Sequence, residues 1–316
     1  MDGLWDINLP LTEVMQSLGW LELPMRVITW LGSELFFLLF VALVYWCVNS
    51  RLGIQIALIL LLSTSLNSVL KLTFASPRPI WFMTPVEGSV AAASFGLPSA
   101  HAQNAVAVWG LIAQRQRYLW IKILALLLMV LIGLSRLYLN VHFFIDILTG
   151  WMVGGVVLLL FDRYSQPVAQ WFQRYSFKQQ TAIAFLVSLL LLLPSLLVVQ
   201  IRAIWQVPLP WMETLQQASP AASPPPFSLE VPVSVAGTWF GFVTGIQWLS
   251  NRQPLELKGK RQPRLRYLIG ISVTVVIWAG LAALFPDGQT PIAYGLRYLR
   301  YALVGGWIAV GTPGRP

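Results

Sequence analysis

The sequence predicts an all-α fold: a polytopic transmembrane helical bundle with a six-helix core and about three additional C-terminal spans. Three observations carry this. Hydrophobic residues make up 57% of the 316-residue chain and charged residues only 10%, where a soluble domain carries about 25% charged. The mean hydropathy is +0.68. Several apolar stretches approach or exceed the roughly 18 to 20 residues that cross a bilayer as helix, the form that satisfies every backbone polar group internally.

Taken in order, residues 1–27 read as an N-terminal interfacial segment. The first twenty, MDGLWDINLPLTEVMQSLGW, hold Asp2, Asp6 and Glu13 and no Lys or Arg, the wrong make-up for a cleaved signal sequence. Residues 28–200 read as the transmembrane core, with spans near 28–48, 52–70, 98–114, 118–136, 142–161 and 181–200. The span 98–114 is the most polar, with Ser99, His101, Gln103 and Asn104, so it should line the bundle interior rather than face lipid. Residues 201–233 contain PLPWMETLQQASPAASPPPFSLEVP, whose Pro and Ser content breaks a helix and reads as an external linker. Residues 234–316 would supply C-terminal transmembrane helices near 234–249, 267–285 and 294–311.

Nine spans sort the basic residues into two sets. One side collects Arg51, Arg115, Arg117, Lys122, Arg163, Arg174, Lys178, the run Arg252 to Arg266 and Arg315, fourteen in all; the other holds Arg26, Lys71, Arg78, Arg136, Arg202, Arg297 and Arg300. An excess of Lys and Arg marks the cytoplasmic side. The expected protein is therefore a multi-pass protein of a cell or inner membrane. Its N-terminus is external or lumenal and its C-terminus cytoplasmic, although Arg297 and Arg300 sit oddly on the charge-poor side. The basic stretch 251–266 reads as a cytoplasmic loop close to anionic headgroups.

Net charge +9 could suggest nucleic acid, but the cations are strung between spans with no soluble recognition motif, so no nucleic-acid partner is expected. Cys47 is the single cysteine, which excludes an internal disulfide and a cysteine metal cluster.

The chain has two histidines. His101 stands in Leu97-Pro98-Ser99-Ala100-His101, where Pro98 suits a first helical turn and Ser99 can hydrogen-bond. Free N–H groups at a helix start attract anions, so a phosphate could dock on the Ser99 and Ala100 amides beside the His101 imidazole. His142 lies in Ser135-Arg136-Leu-Tyr-Leu-Asn-Val-His142-Phe-Phe-Ile-Asp146, which puts an acid four residues on and on the same helical face. Asp146 can accept the Nδ1 proton and leave Nε2 to attack an electrophile. The third element is Lys71-Leu-Thr-Phe-Ala-Ser-Pro-Arg78-Pro79. A phosphate dianion needs opposing charges and forked donors, and Lys71, Arg78 and Arg136 would provide them. Read singly, each histidine could instead be a helix–helix hydrogen bond and each cation topological. All three elements nonetheless fall on one side of the predicted bundle.

Together these residues resemble the type-2 phosphatidic acid phosphatase superfamily, whose signature is K-x6-RP, PSGH and SR-x5-H-x3-D. The first and third elements match in full and the second reads PSAH, so Ala100 replaces the usual glycine. The resemblance covers about residues 50–160. It implies a phosphatase core in which His142 is the nucleophile, Asp146 orients it, and His101 protonates the leaving oxygen and then acts as base on water. Lys71, Arg78, Ser99, Ala100 and Arg136 would hold the phosphoryl oxygens, with no metal and no cofactor. The family includes lipid phosphatases, undecaprenyl-diphosphate phosphatases, sphingosine-phosphate phosphatases, glucose-6-phosphatase and vanadium haloperoxidases.

The resemblance thus implies an integral membrane hydrolase of a phosphomonoester or diphosphate, working through phosphohistidine. Ile80, Trp81, Phe82, Met83 and Phe95 lie between Arg78 and Pro98 or beside them, so an apolar tail could rest there and a lipid phosphate or diphosphate is the favoured substrate. The alternatives are a sugar phosphate, as in glucose-6-phosphatase, and a non-catalytic protein that binds or transports lipid phosphate. The rear three spans could support a partner or a homo-oligomer.

Overall fold

The computed structural model describes residues 15, 17–81, 94–206, 208–209, 211, 213, 227–251 and 263–311. Phe82, Met83, most of the linker, the beginning of the N-terminal segment and most of the basic stretch 251–266 lie outside the described residues. Ten α-helices follow one another: α1 Glu22–Trp30, α2 Glu34–Leu43, α3 Ser50–Phe74, α4 Ala100–Arg115, α5 Leu119–Tyr138, α6 Phe144–Phe172, α7 Phe177–Ile201, α8 Glu230–Ser250, α9 Pro263–Leu284 and α10 Pro291–Val310. No strand occurs among the described residues.

Each of the nine expected spans is a helix or, at the first, a helix pair. The expected span 28–48 is broken, because Gly19–Trp30 and Glu34–Val48 meet at a 54° bend. Gly32 and Ser33 stand at the break, and the Ser33 hydroxyl accepts the Phe36 N–H at 3.1 Å to start α2. The bend therefore has the usual Gly/Ser and capping cause. Helix α1 crosses the expected boundary at residue 27, so the N-terminal segment and the core share a helix.

Among the described residues, five helices are long and apolar enough to cross a membrane by length and composition, or six if the bent pair is one span. Helices α4, α8 and α10 fall outside that count for a physical reason. Helix α4 is short, with 16 residues, and buries Gln103 and Asn104. Helices α8 and α10 carry glycines, among them Gly237, Gly241, Gly245 and Gly305, that lie against neighbouring protein atoms.

The chain divides into two compact units. The first comprises Met1–Phe36, Asn67–Leu158 and Val198–Ser228. Within it the α4–α6 crossing is tight, because Gly150 and Gly154 have no side chains to hold the helices apart. A Cβ on Gly154 would stand 2.4 Å from the Gln103 carbonyl oxygen, and one on Gly150 would stand 2.7 Å from that of Ser99. This is the small-xxx-small packing of membrane helices.

The second unit comprises Phe37–Leu66, Leu159–Leu197 and Leu229–Pro316. Its centre is the α8–α10 crossing, built on Gly237, Gly241 and Gly245. A Cβ on Gly241 would fall 1.8 Å from the Ala302 carbonyl oxygen. The Tyr45 hydroxyl donates to the Ala309 carbonyl and the Trp46 indole to that of Ile308, both at 2.9 Å, fastening the end of α2 to the end of α10.

Candidate active site

All eight residues singled out from the sequence lie in the first unit. Helix α5 ends with Arg136 in its last turn, and the chain turns at Asn140, whose φ of 54° is a left-handed conformation that asparagine tolerates better than most residues. His142 follows, two residues before α6. The expected pairing with Asp146 forms, but not along one helical face. Asp146 stands in the first turn of α6, and its Oδ2 accepts both the His142 Nδ1 proton at 3.1 Å and the Phe143 backbone N–H at 2.9 Å. The second bond is the reciprocal contact of a capping box, so the helix start itself fixes the carboxylate.

The tautomer of His142 follows from its other nitrogen. Arg78 Nη1 lies 3.0 Å from His142 Nε2, and a guanidinium can only donate. Nε2 therefore carries the lone pair and Nδ1 the proton. His142 is 2% exposed and Asp146 0%. The Asp146 Oδ1 atom is buried with no hydrogen-bond partner among the described residues.

The cations come from the α3 end. Arg78 holds the segment before α4, donating to the Ser94 carbonyl at 2.5 Å and the Ser94 hydroxyl at 3.0 Å, and it reaches the Val141 carbonyl at 2.9 Å. Lys71 donates to the carbonyls of Phe95 and Gly96. Both are buried, at 8% exposure for Lys71 and 4% for Arg78. Arg136 donates to the Thr29 hydroxyl at 2.6 Å, while its Nε has no partner among the described residues. Arg78 and Asp146 are thus brought to the two ring nitrogens of His142, and Lys71 and Arg78 both hold the segment 94–96 that leads into α4.

Ser99 is the N-cap of α4. Its backbone N–H, expected to be open to an anion, donates to the Asp146 carbonyl at 2.9 Å. This bond ties the start of α4 to the start of α6. The Ser99 hydroxyl is buried without a partner among the described residues, so the hydroxyl is the part of Ser99 left to meet an oxyanion. Ala100 opens the helix, with His101 next to it. Among the described residues, no three His, Cys, Asp or Glu side chains come together as a metal site.

Several contributors lie outside the eight residues singled out for the site. Gly96 lets the segment before α4 pass between Pro77 and Asp146: a Cβ there would stand 2.6 Å from the Pro77 carbonyl oxygen and 2.9 Å from Asp146 Oδ2. Gly32 closes on His101, whose Cδ2 would be 3.0 Å from a Cβ. Asn67 steadies the turn into α4 through the Pro98 carbonyl at 3.2 Å and Gln103 Oε1 at 2.8 Å.

Trp205, Trp211 and Phe227 pack on Trp81 and Phe95 in one aromatic cluster, with ring centroids 5.0 to 6.4 Å apart. The described linker residues are thus more than a spacer. Phe95 belongs to this cluster through its ring and to Lys71 through its carbonyl.

Residues 52–169 match the model of the PAP2 superfamily, and residues 233–314 match that of the PAP2 superfamily phosphatase, transmembrane extension. This chain belongs to the PAP2 superfamily. The PAP2 domain contains all eight residues singled out from the sequence, and the extension coincides with α8 to α10. The chain is 32% identical to mouse sphingosine-1-phosphate phosphatase 2 over 41% of its own length and 38% of that protein. It is 29% identical to phosphatidylglycerophosphatase B of Bacillus subtilis over 49% of its length and 80% of that protein. It is 25% identical to human glucose-6-phosphatase 3 over 66% of each. The match thus spans well under half of the mouse relative. The PAP2 chain is a multi-pass integral membrane protein, as its apolar helices and the matched extension require.

Proposed function

We propose that this PAP2 protein is a membrane phosphatase that hydrolyses a lipid phosphomonoester or diphosphate through phosphohistidine at His142. The observation that carries the reading is the His142–Asp146 pair, with its Nε2 lone pair on the side of Arg78. An incoming phosphoryl group exchanges places with the guanidinium, which moves from Nε2 to a phosphoryl oxygen. His142 Nε2 then forms the bond to phosphorus as the ester P–O bond breaks, and protonated His101 gives its proton to the leaving oxygen. Lys71, Arg78 and Arg136 stabilise the charge on the equatorial oxygens, with the Ser99 hydroxyl and the Ala100 amide beside them. Water attacks the phosphohistidine, His101 takes its proton, and inorganic phosphate leaves. Asp146 holds the imidazole in the required tautomer throughout. No step calls on a metal or cofactor.

The lipid substrate rests on the aromatic cluster. Phe95 connects it to Lys71, so a tail lying on the partly buried Trp205 and Trp211 would bring its phosphate toward that cation. Two of the compared relatives are named for lipid phosphates. The charge asymmetry of the loops supports an external or lumenal site with a cytoplasmic C-terminus. A sugar phosphate is the second reading, favoured by the longer match to glucose-6-phosphatase 3.

The test is phosphate release by the purified chain from phosphatidate, sphingosine phosphate, polyprenyl diphosphate and glucose phosphate. Release from a lipid, abolished in His142→Ala, is the expected result, and turnover of none of them overturns the proposal. Vanadate should inhibit, because its trigonal bipyramid on His142 resembles the transition state, and EDTA should not. Trp205→Ala and Trp211→Ala should raise KM for a lipid phosphate and leave KM for a soluble phosphate ester unchanged.

A further inference from the structure

Arg297 and Arg300 stand on the charge-poor side of the chain and take no part in the proposed reaction. Both lie in α10, in the second unit, with Ala293 on the same helical face at spacings of four and three. Arg297 is satisfied: it pairs with Glu230 Oε2 at 3.0 Å and donates to the Ser234 hydroxyl at 3.0 Å. Arg300 is not. It is 7% exposed, its Nε has no hydrogen-bond partner among the described residues, and its guanidinium lies 5.1 Å from the Tyr301 ring centroid.

Arg300 is the tenth residue of α10, about 15 Å along a helix that rises roughly 1.5 Å per residue. An unpaired guanidinium at that depth is costly. Its side chain runs back toward the start of the helix, as helical side chains do, and there it lines a small, partly open polar recess with Arg297, Ala293, Pro286, Asp287 and Gly288. No ion pair joins Asp287 to either arginine among the described residues. A buried cation with an unpartnered Nε, a second cation one turn away and an open polar recess together call for an external anion. A guanidinium fork matches phosphate oxygens, and basic pockets between transmembrane helices suit lipid headgroups.

We propose that this recess is a second anion site, separate from the catalytic cluster, in which Arg300 holds a phosphate group with Arg297 beside it. The ligand is either the headgroup of an anionic phospholipid or free phosphate. It stabilises the second unit by neutralising the Arg300 charge.

The test uses thermal unfolding of the full-length chain, stripped of lipid, in an uncharged glycoside detergent with phosphatidylglycerol or inorganic phosphate added. Wild type should gain stability with one of them. A response to phosphatidylglycerol alone assigns a headgroup, a response to phosphate assigns the free ion, and a response to neither overturns the proposal. R300Q should start with a Tm equal to or above that of wild type, because an uncompensated charge is gone, and should lose at least half of the gain. The catalytic cluster also takes free phosphate, so the quantity read is the part of the gain that R300Q abolishes. An undiminished gain in R300Q, or an equal loss of Tm with and without the anion, overturns the site. R300K keeps the charge but not the fork and should need about tenfold more ligand for the same shift; an unchanged titration has the same adverse meaning. None of these readings requires turnover, so they stand or fall independently of the phosphatase proposal.

Discussion

Two helix crossings in this molecule are made in the same way and serve different purposes. At α4–α6, Gly150 and Gly154 bring backbones together so that Ser99 can donate to the Asp146 carbonyl. At α8–α10, Gly237, Gly241 and Gly245 do the same, yet the residues around them, such as Ala302 and Ala309, are apolar and bear no chemistry. The first crossing spends its close approach on a hydrogen bond between two helix starts, and the second on packing of small residues, with Arg297 of α10 bonded to Glu230 and Ser234 of α8 beyond them. Close packing thus sets geometry in both places, but only in the PAP2 domain does that geometry carry the proposed reacting atoms.

The comparison is sharpened first by removing the reacting atoms. His142→Ala should cut phosphate release by about 10³-fold or more, as loss of a nucleophile does elsewhere, with a Tm close to that of wild type. A variant that retained activity would detach the first crossing from the chemistry.

The next largest effect comes from wedging the crossings apart. Gly154→Leu should lower kcat by about 10²-fold, the scale associated with ångström-sized misplacement of reacting groups. Gly241→Leu should lower Tm while leaving kcat per folded molecule within about threefold, since the proposed catalytic groups lie outside its crossing. Equal losses of kcat in both variants would show that the second crossing also governs alignment.

A subtler version acts at Gly96. Gly96→Ala presses on Asp146 Oδ2, so kcat should fall while KM for the lipid stays nearly constant, read from steady-state kinetics. The smallest effect is expected at Ala100. Ala100→Gly restores the usual family residue and keeps the N–H, so kcat/KM should change by less than about tenfold, at some loss of helix stability.

Much of this was legible in the linear chain. Apolar runs long enough for a bilayer gave nine helical segments close to those observed, because hydropathy and length dominate in lipid. The residues of the candidate site were found because their types and spacings are unusual: two histidines in the chain, one with an acid four residues on, and cations on the side that otherwise avoids them. The bend at Gly32 and Ser33 was missed, since a hydropathy pattern does not distinguish a straight span from two capped pieces. The nine-span count treated α4, α8 and α10 as equals of the lipid-facing helices, although glycines and buried amides fit them for protein neighbours. The glycine pairs at spacing four in α6 and α8 were a readable signal that went unused.

The sequence by itself determined that the chain is helical and membrane-embedded, and which imidazoles, carboxylate and cations could handle a phosphate. Those properties follow from local composition and short spacings. Only the tertiary structure decided that Asp146 is oriented by the helix start rather than by a shared face, that the Ser99 amide is spent on Asp146, that linker tryptophans pack on Phe95 beside Lys71, and that the Arg300 Nε is buried without a hydrogen-bond partner among the described residues. Each of these depends on which distant groups satisfy a buried hydrogen bond or charge, and such pairings form between residues whose separation in the chain carries no information about them.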